Sequence, residues 1–298
     1  MNHIKLSTFL FIGILMLSFS GCSNSDNENE TSELIRTEVA VPNLENADVN
    51  SPTFWDNTEL AWSDEFNGTS IESDKWYFES YLGSQGNTEL QNYTDDNTEV
   101  SNGTLKIQAK KIGSGQKVGD YTSARMVSKF AFTYGKLEIR AKLPPEKGNG
   151  LWSKIWMLGN NIDTVGYPQC GELIFMTYAS YNPGIVNATV HTGENFYGNG
   201  PVGTSLDYNL DTAEEEFHIY GLLWTPEYLK FYIDTTDNIY FTFTRPDTPN
   251  DTNWSFTKSF YFGMDMAVGG AVGGAKGVDD SIFPTTLEID YIRVYHPE

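Results

Sequence analysis

Glu172 is the residue whose setting most invites chemistry. It stands in the run Gly171-Glu-Leu-Ile-Phe-Met-Thr-Tyr178 as the sole carboxylate on an otherwise apolar strand. Such a carboxylate can attack the anomeric carbon of a sugar, but cleavage with retention needs a second carboxyl group about 5 Å away to protonate the departing oxygen. In an unbroken strand residues 172, 174, 176 and 178 share one face, and 177 points away. A one-residue bulge after Ile174 would reverse that parity and bring Thr177 beside Glu172. Taken alone, the same stretch also reads as an ordinary core strand.

Sugars are held by aromatic faces beneath their C–H surfaces and by polar groups at their rims. Trp152, Trp156, Tyr167, Tyr178 and His191 are the candidates for such a lining, with core packing the alternative, most of all for Trp156 between Ile155 and Met157. Four histidines in the whole chain argue against a zinc centre. The glycine-rich segment 269–277 is not a phosphate loop, because Lys276 is followed by Gly277 and no helical period follows. It reads as a tight turn, or as a place where a ligand approaches the backbone.

The elements that must position these groups are strands. Leu137, Ile139, Ala141 and Leu143 alternate with Lys136, Glu138, Arg140 and Lys142, the period of a half-buried strand. Similar alternation runs through 104–111, 228–234, 239–244 and 286–295, with turns at Asn102-Gly103, Asn182-Pro-Gly184 and Pro246-Asp247. The predicted class is all-β, a sandwich or jelly roll over residues 58–298. With 298 residues, 39% of them hydrophobic and 14% aromatic, the chain can bury a substantial core.

Ahead of that domain, residues 1–21 carry one lysine, an apolar run over 9–17 and then Ser20-Gly21-Cys22, the pattern of a secretory signal with a lipoprotein cleavage site and lipidation at Cys22. The apolar run is too short for a permanent span. Residues 22–57, rich in Ser, Asn, Asp and Glu, are predicted to be an acidic flexible tether. With Cys22 acylated only Cys170 remains, so no intramolecular disulfide forms. A net charge of −21 argues against nucleic acids and anionic polymers and favours neutral glycans, unless a local basic patch overrules the average.

From about residue 58 onward the chain resembles glycoside hydrolase family 16, in its laminarinase and β-glucanase branch. The resemblance runs through Trp62-Ser-Asp-Glu-Phe66, Glu89-Leu-Gln-Asn-Tyr-Thr94, Tyr134-Gly-Lys-Leu-Glu-Ile-Arg140, residues 152–158, Tyr167-Pro-Gln-Cys-Gly-Glu172, Trp224-Thr-Pro226, Ala267-Val-Gly-Gly270 and Ile289-Asp-Tyr-Ile-Arg-Val-Tyr295. It implies a concanavalin A-like β-jelly roll whose concave sheet forms a glycan cleft, with Asn87 and Arg125 at polar positions that contact glycan.

The family's catalytic strand usually reads Gly-Glu-Ile-Asp-Ile-Met-Glu. Matched residue by residue, Glu172 falls on the nucleophile, Ile174 on the modulating aspartate and Thr177 on the acid/base. The last two are departures. Loss of a positioned general acid costs on the order of 10²–10⁴ in rate. Loss of the modulator replaces a hydrogen-bonding neighbour of Glu172 by a hydrocarbon. Three more departures surround the site: Trp152-Ser-Lys-Ile-Trp156 where the family tends to have Trp-Pro-Ala-Phe-Trp, Tyr167 for a tryptophan, and Ala271-Val272 for Asn-Trp.

These residues predict a surface lipoprotein that recognises β-glucan, most readily β-1,3-linked, through a cleft that has lost two carboxylates. Two alternatives stay open. One is an active retaining endo-β-glucanase using a displaced carboxylate, with Glu194 the first candidate. The other is a scaffold that binds a partner of a glycan-uptake system. No cofactor is required. The resemblance admits a structural calcium at Glu65, the Gly103 carbonyl and Asp290, all oxygen donors, although ion pairing accounts equally for the two carboxylates. The expected place is the outer surface of a bacterium, with the membrane touched only through the lipid.

Overall fold

The alternating segments become strands that pair into two sheets. The computed structural model describes residues 35–83, 87–196 and 204–298, so the signal segment and Cys22 lie outside the described residues. In chain order the strands are β1 (Thr37–Glu38), β2 (Thr58–Asp64), β3 (Trp76–Phe78), β4 (Gln91–Tyr93), β5 (Thr98–Ser101), β6 (Thr104–Lys111), β7 (Tyr121–Ser123), β8 (Arg125–Phe132), β9 (Gly135–Lys142), β10 (Leu151–Gly159), β11 (Glu172–Ala179), β12 (Ile185–His191), β13 (Ser205–Asn209), β14 (His218–Trp224), β15 (Tyr228–Ile233), β16 (Ile239–Thr244), β17 (Phe260–Val268) and β18 (Thr285–Pro297). Two four-residue helical turns, Ile162–Val165 and Gly270–Gly273, interrupt them.

One sheet has the order β1-β8-β17-β10-β11-β12-β13, with β3 also on β8. The other runs β16-β15-β14-β9-β18-β6-β7-β4, with β2 on β18 and β5 on β6. Every pairing is antiparallel except β1 with β8 and β4 with β7. The result is the all-β jelly-roll sandwich that the alternation predicts.

The period of two decides which side chains meet between the sheets. Leu137, Ile139 and Ala141 of β9 are fully buried, and so are Leu287, Ile289, Ile292 and Val294 of β18. They share one cluster with Phe260, Phe262, Met264, Met266 and Val268 of β17. Each of these larger apolar side chains contributes about 1.5–3 kcal/mol on leaving water, which is how a fold without disulfides among its described residues is held. The opposite face of β17, carrying Tyr261, Gly263, Asp265 and Ala267, is buried too. It lies outside the core cluster, on the side where the functional site forms.

The expected free tether is corrected from residue 35 onward. Thr37 and Glu38 add a parallel strand beside Phe130 and Ala131. Arg36 donates from Nε to the Ser128 carbonyl at 3.2 Å and lies 3.5 Å from the Tyr261 ring centroid. Further along, Val49 is 5% exposed and packs with Leu223, Tyr228 and Tyr232, flanked by Phe54 and Trp55. The Tyr228 hydroxyl donates to the Val49 carbonyl at 2.7 Å and accepts from Trp55 Nε1 at 3.1 Å. The average polarity of the segment hides these few anchors, and the anchors decide its place. Placing a charge in this small apolar cluster with Val49→Asp should cost on the order of 2–3 kcal/mol. Urea denaturation checks it, and an unchanged midpoint would mean that the segment is loose.

Candidate functional site

The register of β10, β11, β12 and β17 arranges the outer face of the first sheet into transverse rows. Tyr261, Leu158, Glu172 and His191 form one row. Gly263, Trp156, Ile174 and Thr189 form the next, and Arg125, Asp265, Lys154, Thr177 and Asn187 a third. Trp152 and Ala267 lie in a fourth. On β11 the step from Ile174 to Thr177 is possible because the ladder slips. Trp156 opposes Ile174 while Ile155 opposes Met176, which leaves Phe175 as an extra residue. This is the bulge that puts Glu172, Ile174 and Thr177 on one face. Phe175 meanwhile turns into the core against Phe231 and Phe262.

Above these rows lies an open cleft of about 1230 Å³. Glu172, Ile174, Thr177, Trp152, Trp156, Tyr167, His191, Asn87 and Arg125 all line it, so nearly all of the residues singled out from the sequence are brought together. Tyr178 is not. It is fully buried in the core cluster, because the bulge that turns residue 177 outward turns 178 inward.

Glu172 is placed by its neighbours. Gly171 before it has φ +81°, and a Cβ there would stand 2.9 Å from the Ser255 side chain and 3.0 Å from the Phe260 ring, so a larger residue would displace the strand entry. The Tyr167 hydroxyl donates to Glu172 Oε2 at 3.1 Å, and His191 Nε2 lies 4.0 Å from the same oxygen. Burial, and then the carboxylate itself, push the Tyr167 phenol well above its ordinary pKa, so it stays a donor. Burial pulls the His191 imidazole below its usual value, and Glu172 only partly offsets this. At neutral pH the ring is therefore uncharged. Cys170, a free thiol buried nearby, is pushed up to about 11 by burial and then by Glu172.

Sequence reasoning missed the charged network in the third row. Asp265, with no exposed surface, accepts from Arg125 Nη1 at 2.7 Å, Trp156 Nε1 at 2.7 Å and the Tyr93 hydroxyl at 3.2 Å. Arg125 Nε also reaches Glu79 Oε2 at 2.5 Å, and its guanidinium lies 4.3 Å from the Trp156 ring centroid. Burial opposes the charge on Arg125, and Asp265 and Glu79 together raise its pKa above the ordinary value. Trp156 lies flat across Gly263, where a Cβ would fall 2.0 Å from its ring. Only glycine admits that approach. The signal for Asp265 was its alternation with Tyr261 and Gly263 along β17; the signal for Lys154 was its place between Trp152 and Trp156.

Among the described residues, no carboxylate is hydrogen-bonded to Glu172 or opposes it across a strand pair, although Glu79 and Glu89 line other parts of the cleft. Glu194 does not line the cleft; its Oε1 accepts from the Thr252 hydroxyl at 2.8 Å. Glu79 lies beside Arg125 on β8, three strands away, and Glu89 bridges to Gly269, eight residues beyond Tyr261. At about 4.8 Å per strand and about 3.4 Å per residue, both backbones are more than about 15 Å from that of Glu172. As for calcium, Glu65 is held by Arg293 in a two-point pair at 2.9 and 2.7 Å, and Asp290 by Arg140. Among the described residues no three His, Cys, Asp or Glu side chains gather as a metal site.

A two-sheet jelly roll bearing an aromatic and polar cleft over one sheet, with Glu172 carried on a central strand of its floor, is a carbohydrate-cleft fold. The sequence model of glycosyl hydrolases family 16 matches residues 86–292, and the chain belongs to that family, in its laminarinase branch. It is 39% identical over 253 residues to a beta-glucanase of Rhodothermus marinus, covering 80% of this chain and 85% of that protein. The crystal structure of a laminarinase from Flavobacterium sp. UMI-01 superposes with a TM-score of 0.72 at 39% identity, over 80% of this chain and all of that one. A beta-1,3-glucan-binding protein of Penaeus monodon is 30% identical over 200 residues, 59% of this chain and 54% of that protein.

Replacing Arg125 by Met would leave buried Asp265 without its closest charged partner and with Lys154, at 3.7 Å, as its nearest remaining cation. The expected loss is about 3–5 kcal/mol of stability, read from the urea midpoint. A loss below about 1 kcal/mol would mean that the network does not hold the cleft floor.

Proposed function

We propose that the cleft binds a β-1,3-linked glucan without hydrolysing it at a useful rate. The observation that carries this reading is the occupancy of the cleft face of β11: one carboxylate, one hydrocarbon and one hydroxyl, at Glu172, Ile174 and Thr177. Retaining cleavage needs two carboxyl groups about 5–5.5 Å apart, and inversion needs two about 6.5–9.5 Å apart. The β11 face itself supplies no such pair, Glu194 is turned to the Thr252 hydroxyl, and Glu79 is held by Arg125. A threonine hydroxyl does not protonate a sugar alkoxide at neutral pH.

Binding, by contrast, is well provided for. Trp152, Tyr167 and Tyr261 offer ring surface, and Asn87, Asn187 and Thr189 offer polar rims. Trp152 Nε1 and His191 Nδ1 are buried with no partner among the described residues, and both belong to cleft-lining side chains. The relatives named for β-glucan hydrolysis and for β-1,3-glucan binding support the same ligand class.

Affinity electrophoresis in gels containing laminarin, run beside an assay for oligosaccharide release, tests the reading. Retardation without release is expected. Release that disappears with Glu172→Gln would show a working glucanase instead, and neither retardation nor release would leave a partner-binding scaffold. The signal and Cys22 support a second part of the proposal, that the domain is exported and held at the bacterial surface by a lipid. Cells fed radiolabelled palmitate should label the wild type and not Cys22→Ser; equal labelling would sink the lipid anchor.

A further inference from the structure

Lys154 stands where the family pattern has a small apolar residue, and the structure puts it in the middle of the cleft floor. It is the direct cross-strand neighbour of Thr177 on one side and of Asp265 on the other. Directly opposed residues in a sheet have Cβ atoms about 4.5–5.5 Å apart, so a lysine at 154 is long enough to turn toward a group above Thr177 as well as toward Asp265. Its ammonium lies 4.1 Å from the Trp152 ring centroid and 3.7 Å from Asp265 Oδ2. The second contact is too long for a hydrogen bond. Asp265 is in any case already engaged by Arg125, Trp156 and Tyr93. Lys154 thus brings three N–H donors to a ligand cleft and makes no hydrogen bond with a described residue. Its side chain is 15% exposed.

Resting on the glucan-binding reading above, we infer that Lys154 is a ligand-binding residue that takes over the place vacated at Thr177. It donates a charge-assisted hydrogen bond to an oxygen of the bound glucan at the position where a family acid would protonate the glycosidic oxygen. There it acts as a hydrogen-bond donor to the ligand, in the place of a carboxylic acid. The same residue keeps the site from reverting. A carboxylate introduced at 177 would meet the ammonium across the strand pair and stay ionised, and it would also withdraw that ammonium from the ligand.

Titration calorimetry with a laminarin hexasaccharide tests this on the whole chain, using Lys154→Met, Thr177→Glu and the double variant, each checked for an unchanged unfolding midpoint. A hydrogen bond to a charged group is worth enough to weaken binding about tenfold or more when it is lost. Lys154→Met is expected to show that loss, and Thr177→Glu a similar one with the lysine still present. The double variant should be no weaker than either single one, because both remove the same contact. If Lys154→Met fails to fold, Thr177→Glu alone keeps the idea open to refutation, since unimpaired binding by it would show the ammonium to be uninvolved. Wild-type affinity in Lys154→Met, or losses that simply add in the double variant, would overturn the inference while leaving the glucan reading intact. A wild-type chain that does not bind the hexasaccharide overturns both. On the hydrolysis side, Ile174→Asp with Thr177→Glu should release little sugar, and adding Lys154→Ala should raise the release at least tenfold; equal rates with and without Lys154 would count against the proposal.

Discussion

The register of β11 against β10 is the constraint on which the site depends. One residue, Phe175, is out of step, and this slip converts a strand of period two into a face carrying 172, 174 and 177. It holds because Phe175 gains a place in the core with Phe231 and Phe262, while Met176 and Tyr178 also turn inward. Core packing, and not any contact in the cleft, sets the parity of the functional face. The carboxylates that the family pattern leads one to expect can therefore be lost without disturbing the strand that would have carried them.

Beside that strand, electrostatics organise the floor. The chain is strongly acidic overall, with a net charge of −21, yet the third row alternates in sign through Arg125, Asp265 and Lys154. Burial makes each of these charges costly unless it is met, and the row meets them in sequence across neighbouring strands. Lys154, the third charge in the row, is the one least completely met, and its cross-strand neighbour on β11 is Thr177. Uncharged residues at 174 and 177 and a lysine at 154 bias the centre of the cleft in the same electrostatic direction. Average charge says little about such a place, since fields at a few ångströms are set by the nearest groups.

The N-terminal segment shows the same separation between average and particular. Its composition is that of a solvated linker, but Arg36, Val49 and Trp55 fasten residues 35–57 to both sheets. The short β1 also occupies the edge of β8, where unpaired backbone would otherwise be open to other chains. Tyr261, which lines the cleft, is packed under Arg36, so this segment buttresses one wall of the site.

What the sequence determined by itself is the class of fold, the pairing of buried and exposed positions along β9 and β18, the strand that bears Glu172, and the absence of carboxylates at 174 and 177. These are local properties: period-two alternation and residue identity need no knowledge of what lies opposite. Most of the aromatic and polar cleft residues were legible as well, because their order along the chain is distinctive. Only the tertiary structure decided that the β11 ladder slips at Phe175, that Tyr178 belongs to the core, that Glu194 is turned toward Thr252, and that Lys154 comes to stand beside Thr177. Each of those depends on pairing between strands far apart in sequence, where a shift of one residue exchanges the two faces and no short stretch of chain carries the information.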